Sequence, residues 1–170
     1  MVAVTEASKA LFQVMEETID LVDKLVQSAG EKESLLLAAD VEGLSEVQER
    51  EEELVLALQE KEKERIAKAD ALAGALGISE RGLRLKDLIC RIDDPDCSRR
   101  LRETGDKLSN ALDNLAASNL KVRELLHQRI DYTDFMLNLL VNPKSRIHAY
   151  DMQGNIEENG QEPSLLEYHA

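Results

Sequence analysis

The chain has 170 residues, 43% of them hydrophobic but only 3% aromatic, with no tryptophan and three prolines. This length suits one domain or one extended helical bundle, and the composition is typical of helix-rich rather than β-sheet proteins. With 34 acidic and 21 basic residues the formal net charge is −13, which disfavours binding to nucleic acid and to anionic membranes because both repel negative charge.

The sequence contains no apolar run long enough to cross a bilayer, and residues 1–25 alternate charged with apolar positions instead of forming a signal-peptide core. Its two cysteines, Cys90 and Cys97, fit no disulfide framework, which agrees with a reducing compartment. We therefore expect a cytoplasmic protein without membrane insertion, whose partners are proteins of basic or neutral character.

The first predicted helix covers residues 5–39. Gly30 lowers its helix propensity by about 1 kcal/mol relative to alanine, but we predict one continuous helix. Two heptad rows of mainly apolar residues run along it and indicate that other helices cover it. One row is Val4, Leu11, Thr18 and Leu25, and the other is Val14, Leu21, Ser28 and Leu35.

The second predicted helix covers residues 41–76, with Asp40 as its N-cap and Gly77 ending it in the left-handed conformation. The charged runs at 49–53 and 60–65 mix both signs at helical spacing, which favours a solvated face over an interaction tail. The predicted inward face consists of Leu44, Val47, Leu54, Leu58, Ile66, Ala69, Leu72 and Leu76.

A shorter third helix is predicted at residues 80–92, with Cys90 as a small core residue. Asp93-Asp94-Pro95 ends that helix and starts the fourth, residues 96–141, because proline fits the first turn of a helix. At 1.5 Å per residue the fourth helix is roughly 70 Å long, so other helices must cover most of its apolar stripe.

The fourth helix has the a/d pattern of a coiled coil. Asn119 lies in its second row, where a buried asparagine fixes the register of the helices; this structural role is favoured over contact with a ligand. The first heptad row is Leu101, Leu108, Leu115, Val122 and Met136, and the second, four residues behind it, contains Leu112, Leu126 and Leu140.

Near its C-terminal end the fourth helix carries more apolar residues than one stripe uses. A helix that is apolar on all sides requires cover on several of them. These residues are therefore our candidate surface for taking up an amphipathic partner helix. They are the heptad row Leu125, Tyr132 and Leu139, together with Ile130, Phe135 and Leu137.

These elements predict an all-α fold: an elongated antiparallel bundle or coiled coil of three long helices and one short helix, over residues 1–141. Asn142-Pro143 ends the last helix. Residues 142–170 are predicted to form an extended, mobile tail, because they are polar, contain glycine and proline and show no helical stripe until the short pair Leu165-Leu166.

Few residues suggest chemistry. His127 is not followed by the lysine and small residue typical of a phosphoaccepting histidine, so a surface histidine is favoured. Cys90 and Cys97 match no zinc-binding spacing. Arg65 and Arg129 fall near inward positions and are the one hint of an anion-binding cavity. A small all-α enzyme is thus the weaker alternative, and no catalytic residue, metal or cofactor is predicted.

Several short motifs occur in an order that resembles the FlgN family of flagellar type III export chaperones, over most of the chain. The family pattern has a second asparagine at the position of Val122, and commonly Gly-x-x-Gly-Gln after the tail tyrosine, where this chain has Asp-x-x-Gly-Asn. The motifs are Asp40-x-x-x-Leu44, Glu64-Arg65 followed by Leu76-Gly77-Ile78, Asn119-x-x-Val122-x-x-Leu125, and Tyr150-Asp151-Met152-Gln153-Gly154-Asn155.

The resemblance implies a cytoplasmic, non-enzymatic chaperone. Such proteins hold hook-filament junction proteins through an amphipathic C-terminal region, prevent their premature assembly and deliver them to the cytoplasmic domain of the export gate. By the same resemblance Tyr150 is the gate-docking residue, the alternative being a tyrosine that packs on the bundle. The competing interpretation is a coiled-coil scaffold or adaptor without secretion clients. Client preference and homo-oligomerisation stay open.

Overall fold

The computed structural model describes residues 2–78 and 83–141, in which four α-helices and no strand are present. The predicted all-α helical bundle is confirmed. The predicted tail, residues 142–170, lies outside the described residues. The helices are α1 (Val2–Ala38), α2 (Val41–Ala75), α3 (Leu85–Ile89) and α4 (Pro95–Val141).

The chain divides into two units, residues 1–127 and 128–170. The first contains α1, α2, α3 and α4 as far as His127. The second, in its described part, consists of α4 from residue 128 to Val141. The predicted boundary between bundle and tail after Val141 stays a prediction.

Within the first unit, α1 and α2 run antiparallel, since only Ala39 and Asp40 join them. The Asp40 carboxylate accepts a hydrogen bond from the Gly43 backbone N–H at 2.9 Å, so it caps α2 as predicted. Ion pairs join early residues of one helix to late residues of the other, as an antiparallel pair requires: Lys32 with Glu51, and Glu17 with Lys61.

The two predicted heptad rows of α1 are both covered. Gly30 lies inside the helix without interrupting it, which confirms the predicted continuity. The buried members of the rows are Leu11, Thr18 and Leu25 in one and Val14 and Ser28 in the other, while Val4, Leu21 and Leu35 are half-buried. Cover on two rows makes α1 the central helix of this unit.

In the first unit α4 runs parallel to α1. The Arg100 guanidinium lies over the Phe12 ring, 4.4 Å from its centroid, and Lys121 Nζ is 2.5 Å from Glu33 Oε2. Both contacts join positions 88 residues apart, 12 with 100 and 33 with 121. The two helices therefore rise in the same direction, and α2 runs antiparallel to both.

The buried stripe of α4 differs from the predicted one. In the first unit the first predicted row does face inward, from buried Leu101 through half-buried Leu108, Leu115 and Val122. Its last member, Met136, is exposed in the second unit, against the prediction. The second predicted row is wrong, because Leu112 and Leu126 are exposed in the first unit and Leu140 is exposed in the second. The inward positions lie three residues behind the first row, not four, and are Thr104, Ala111, Ser118 and Leu125. Small side chains there complement the large ones that α1 buries.

The inward face of α2 also departs from prediction. Ile66, expected inside, is 49% exposed. Lys61, Arg65 and Lys68 are half-buried at 3–4 spacing from Leu58 and Leu72. Long basic side chains occupy such positions by laying their methylene groups on the neighbouring helix while their charges reach the surface.

The short helix α3 begins later than predicted. Leu83 and Arg84 are not helical, while residues 79–82 lie outside the described part of the chain. The Asp87 carboxylate accepts a hydrogen bond from the Arg84 backbone N–H at 3.2 Å, which fixes the start at Leu85. Cys90, predicted as a core residue, is exposed, because Leu88 and Ile89 of α3, and Ile92 just after it, point to the core instead.

The buried core cluster of the first unit lies where α3 packs against the first turns of α1 and α4 and the last turns of α2. Gly77 has a positive φ of 74°, as predicted for the end of α2, and lets the chain turn there. The buried cluster joins all four helices and consists of Leu11, Met15, Leu72, Ala73, Leu88, Ile89, Ile92 and Leu101. This cluster holds α3 against α4 and thereby shapes the groove described below.

Candidate partner-binding surface

Five of the six residues predicted to bind a partner lie in the second unit. There Ile130, Tyr132, Phe135, Leu137 and Leu139 are all exposed. The sixth, Leu125, is half-buried in the first unit, where it belongs to the inward row of α4. We call the exposed apolar residues of α4 between 130 and 141 the distal surface.

The distal surface covers most of the circumference of the helix. Polar residues are confined to Asp131, Asp134 and Asn138, spaced three and four apart on one side, and to Thr133. The Thr133 hydroxyl donates a hydrogen bond to the Arg129 carbonyl at 2.9 Å and is thereby satisfied within its own helix. The exposed apolar members are Ile130, Tyr132, Phe135, Met136, Leu137, Leu139, Leu140 and Val141.

Such a helix segment can bind an amphipathic helix through its apolar sides. Its polar strip carries two carboxylates, Asp131 and Asp134, so a partner with basic residues beside its apolar face is favoured by charge. No helix in the described part of the chain is long and apolar enough to cross a membrane.

Asn119 does not have the burial that was expected of it. Its side chain is exposed in α4, as are those of Leu112 and Leu126 in the same row. The second inward row lies three residues behind the first, so the row of Asn119 points away from α1. Its proposed role in setting register stays a prediction. Tyr150 lies outside the described residues.

The described residues that the sequence suggested for chemistry do not come together in one site. Arg65 donates from Nε and Nη2 to the two carboxylate oxygens of Glu62, both at 2.7 Å. This pairing raises the pKa of Arg65 and lowers the pKa of Glu62. His127 is exposed. Within residues 2–78 and 83–141, no group of three or more His, Cys, Asp or Glu side chains is placed to hold a metal ion.

The sequence interpretation missed a groove of about 650 Å³ between α3 and α4. Leu85 and Ile89 of α3 line it, and Gly105 lies on the α4 side. The signal in the sequence was Gly105 itself: glycine inside a long helix is unfavourable by about 1 kcal/mol relative to alanine, so it indicates a close approach by another element.

A comparison with protein-family models finds a match to the family described as FlgN protein, over residues 1–158 of this chain. Among curated proteins and among solved structures, none matches it. The matched range includes all four helices and most of the 29 residues that follow α4.

Proposed function

The chain belongs to the FlgN family of flagellar export chaperones, and from this membership we propose that it holds hook-filament junction proteins before export and delivers them to the cytoplasmic domain of the export gate. In this proposal the protein works in the cytoplasm and without catalysis. It shields an amphipathic segment of its client that would otherwise assemble too early.

The observation that carries the proposal is the distal surface. In a monomer, eight large apolar side chains between Ile130 and Val141 are exposed, which is unfavourable unless a partner covers them. Burying one such side chain fully contributes about 1.5 to 3 kcal/mol. Burial of several such side chains offsets the entropy lost on association. The binding free energy that remains is then sufficient for a micromolar dissociation constant, which corresponds to about 8 kcal/mol.

The first test measures binding of a purified hook-filament junction protein to the full chain by isothermal titration calorimetry. In one variant Leu137, 52% exposed, is replaced by aspartate; in a second, Leu139, on the nearly opposite side of the helix, is replaced by aspartate. Each variant is expected to weaken binding at least about tenfold, because a carboxylate must be desolvated in the apolar interface.

The matched control for this test is Leu56→Asp, since Leu56 is 63% exposed on α2 in the first unit. Its binding should equal that of the wild type, and far-UV circular dichroism should be unchanged in all three variants. Wild-type affinity in Leu137→Asp and Leu139→Asp would discard the distal surface and favour the scaffold interpretation.

The second test addresses delivery. Tyr150→Ala is expected to leave client binding unchanged and to weaken binding to the cytoplasmic domain of the export gate, because the tyrosine ring is proposed to dock there. Tyr150→Phe, which keeps the ring, separates the ring from the hydroxyl. Loss of both client and gate binding in Tyr150→Ala would instead indicate a structural role.

A further inference from the structure

The groove between α3 and α4, which we call the α3–α4 groove, is built by close packing of the two helices. A side chain at position 105 would place its Cβ 2.9 Å from Leu85 Cδ2, so α3 rests on α4 at the one point where α4 has no side chain. Leu85 and Ile89 supply apolar lining, and the exposed Cys90 lines the groove as well.

The charges of this groove oppose those of the whole protein. Three basic side chains and one acidic side chain line it, namely Arg84, Lys86 and Arg102, and Asp106. No ion pair within the described part of the chain engages any of the three basic groups. Although the chain as a whole has a net charge of −13, these three basic groups make the groove locally positive, which favours contact with the carboxylates of a partner at short range.

We propose that the α3–α4 groove docks a short, acidic, amphipathic peptide segment of a partner protein. Apolar side chains of that segment lie on Leu85 and Ile89, and its carboxylates contact the guanidinium groups of Arg84 and Arg102 and the ammonium of Lys86. The groove lies in the first unit and shares no residue with the distal surface, so this proposal does not depend on the client binding proposed above.

The test uses the full chain carrying Cys97→Ser, which leaves Cys90 as its single thiol. The probe is a fluorescein-labelled synthetic peptide with glutamates on one helical face and leucines on the other; a counterpart has lysine in place of every glutamate. Fluorescence anisotropy gives the affinity, and the rate at which a maleimide alkylates Cys90 reports whether the groove is occupied.

The acidic peptide is expected to bind and to slow alkylation of Cys90 about tenfold, while the lysine counterpart does neither. Arg102→Glu should weaken binding by about tenfold or more, because it replaces attraction by repulsion. Lys107→Glu is the matched control, since Lys107 is an exposed α4 residue outside the groove lining and the change in net charge is the same.

Two results would overturn the proposal. One is equal weakening by Arg102→Glu and Lys107→Glu, which would show general electrostatic attraction without a site. The other is an unchanged alkylation rate of Cys90 when the peptide is saturating, which would place the peptide elsewhere. Circular dichroism of each variant establishes that its helices are intact, so that loss of binding is assigned to the groove.

Discussion

An ion pair between Glu17 of α1 and Lys61 of α2 makes a part of the stability of these two helices depend on pH. Lys61 Nζ lies 2.5 Å from Glu17 Oε2 on α1 and 2.9 Å from Glu64 Oε2 on its own helix. The hydrogen bond from Lys61, supported by one from Gln13, lowers the pKa of Glu17 below its ordinary value of 4.5. Its carboxylate partners raise the pKa of Lys61 above 10.5.

Glu17→Gln should therefore reduce stability in a pH-dependent manner. A lowered folded-state pKa stabilises the fold at pH values above 4.5, and this contribution disappears as the pH falls through the lowered pKa. Lys61 stays protonated throughout that range, so Glu17 sets the window. The thermal midpoint of the variant should lie slightly below that of the wild type at neutral pH and coincide with it at strongly acidic pH.

Glu16→Gln is the control for this pH effect, because Glu16 is exposed and has no ion pair within the described residues. Its midpoint should follow that of the wild type across the pH range. A Glu17→Gln deficit that persisted at strongly acidic pH would mean that the carboxylate stabilises the fold by something other than its charge.

At the scale of helices, the buried row of α4 provides a direct comparison between prediction and structure. Leu101 is 1% exposed, whereas Leu112, assigned to the core by its heptad position, is 45% exposed. Leu101→Ala should reduce the free energy of unfolding by about 2 to 5 kcal/mol, the usual cost of a buried leucine truncation. Leu112→Ala should change it by about 0.5 kcal/mol or less.

Urea unfolding of both variants, fitted with one shared m value, measures this difference in the free energy of unfolding. Equal losses of stability would show that the leucine row predicted from sequence faces the core after all. The size of the Leu101 effect also reports how completely α1 covers α4 near the base of the bundle.

The heptad pattern predicted the buried rows of α1 correctly and the second buried row of α4 wrongly, because it depends on where the large apolar residues lie. The rows of α1 were predictable because the large residues Leu11, Val14 and Leu25 themselves occupy the buried positions. In α4 the second row was misplaced, because positions three and four residues behind a row flank it on opposite sides, and the structure selects small residues such as Ala111. Size alone does not identify the inward side.

The sequence predicted α3 and the α3–α4 groove less well than it predicted the buried rows of α1. Apolar residues at 83, 85, 88, 89 and 92 suggested one longer helix, but of the described residues 83–92 only the five from Leu85 to Ile89 are helical, because a cap at Arg84 sets the start. The excess of apolar residues near Ile130 was visible in the sequence. Gly105 indicated a close approach by another element, but the α3–α4 groove itself was not predictable, since it depends on where α3 lies against α4.

The apolar distal surface and the negative charge of the chain have opposite effects on self-association of the protein. Two copies of the distal surface can pair through a two-fold axis, in which each copy covers the apolar side chains of the other. The strip containing Asp131 and Asp134 brings like charges near each other in such a pair. The net charge of −13 adds repulsion that salt screens.

We therefore expect weak self-association that strengthens with both protein concentration and salt, measured as the average mass in sedimentation equilibrium. Leu137→Asp should keep the protein monomeric under the same conditions, while Leu56→Asp should behave as the wild type, although both residues are exposed leucines. A saturating hook-filament junction protein should abolish self-association, since client binding is proposed to use the same apolar surface. Mass that falls with added salt, or self-association that persists in Leu137→Asp, would assign the contact to ion pairs or to another face of the protein.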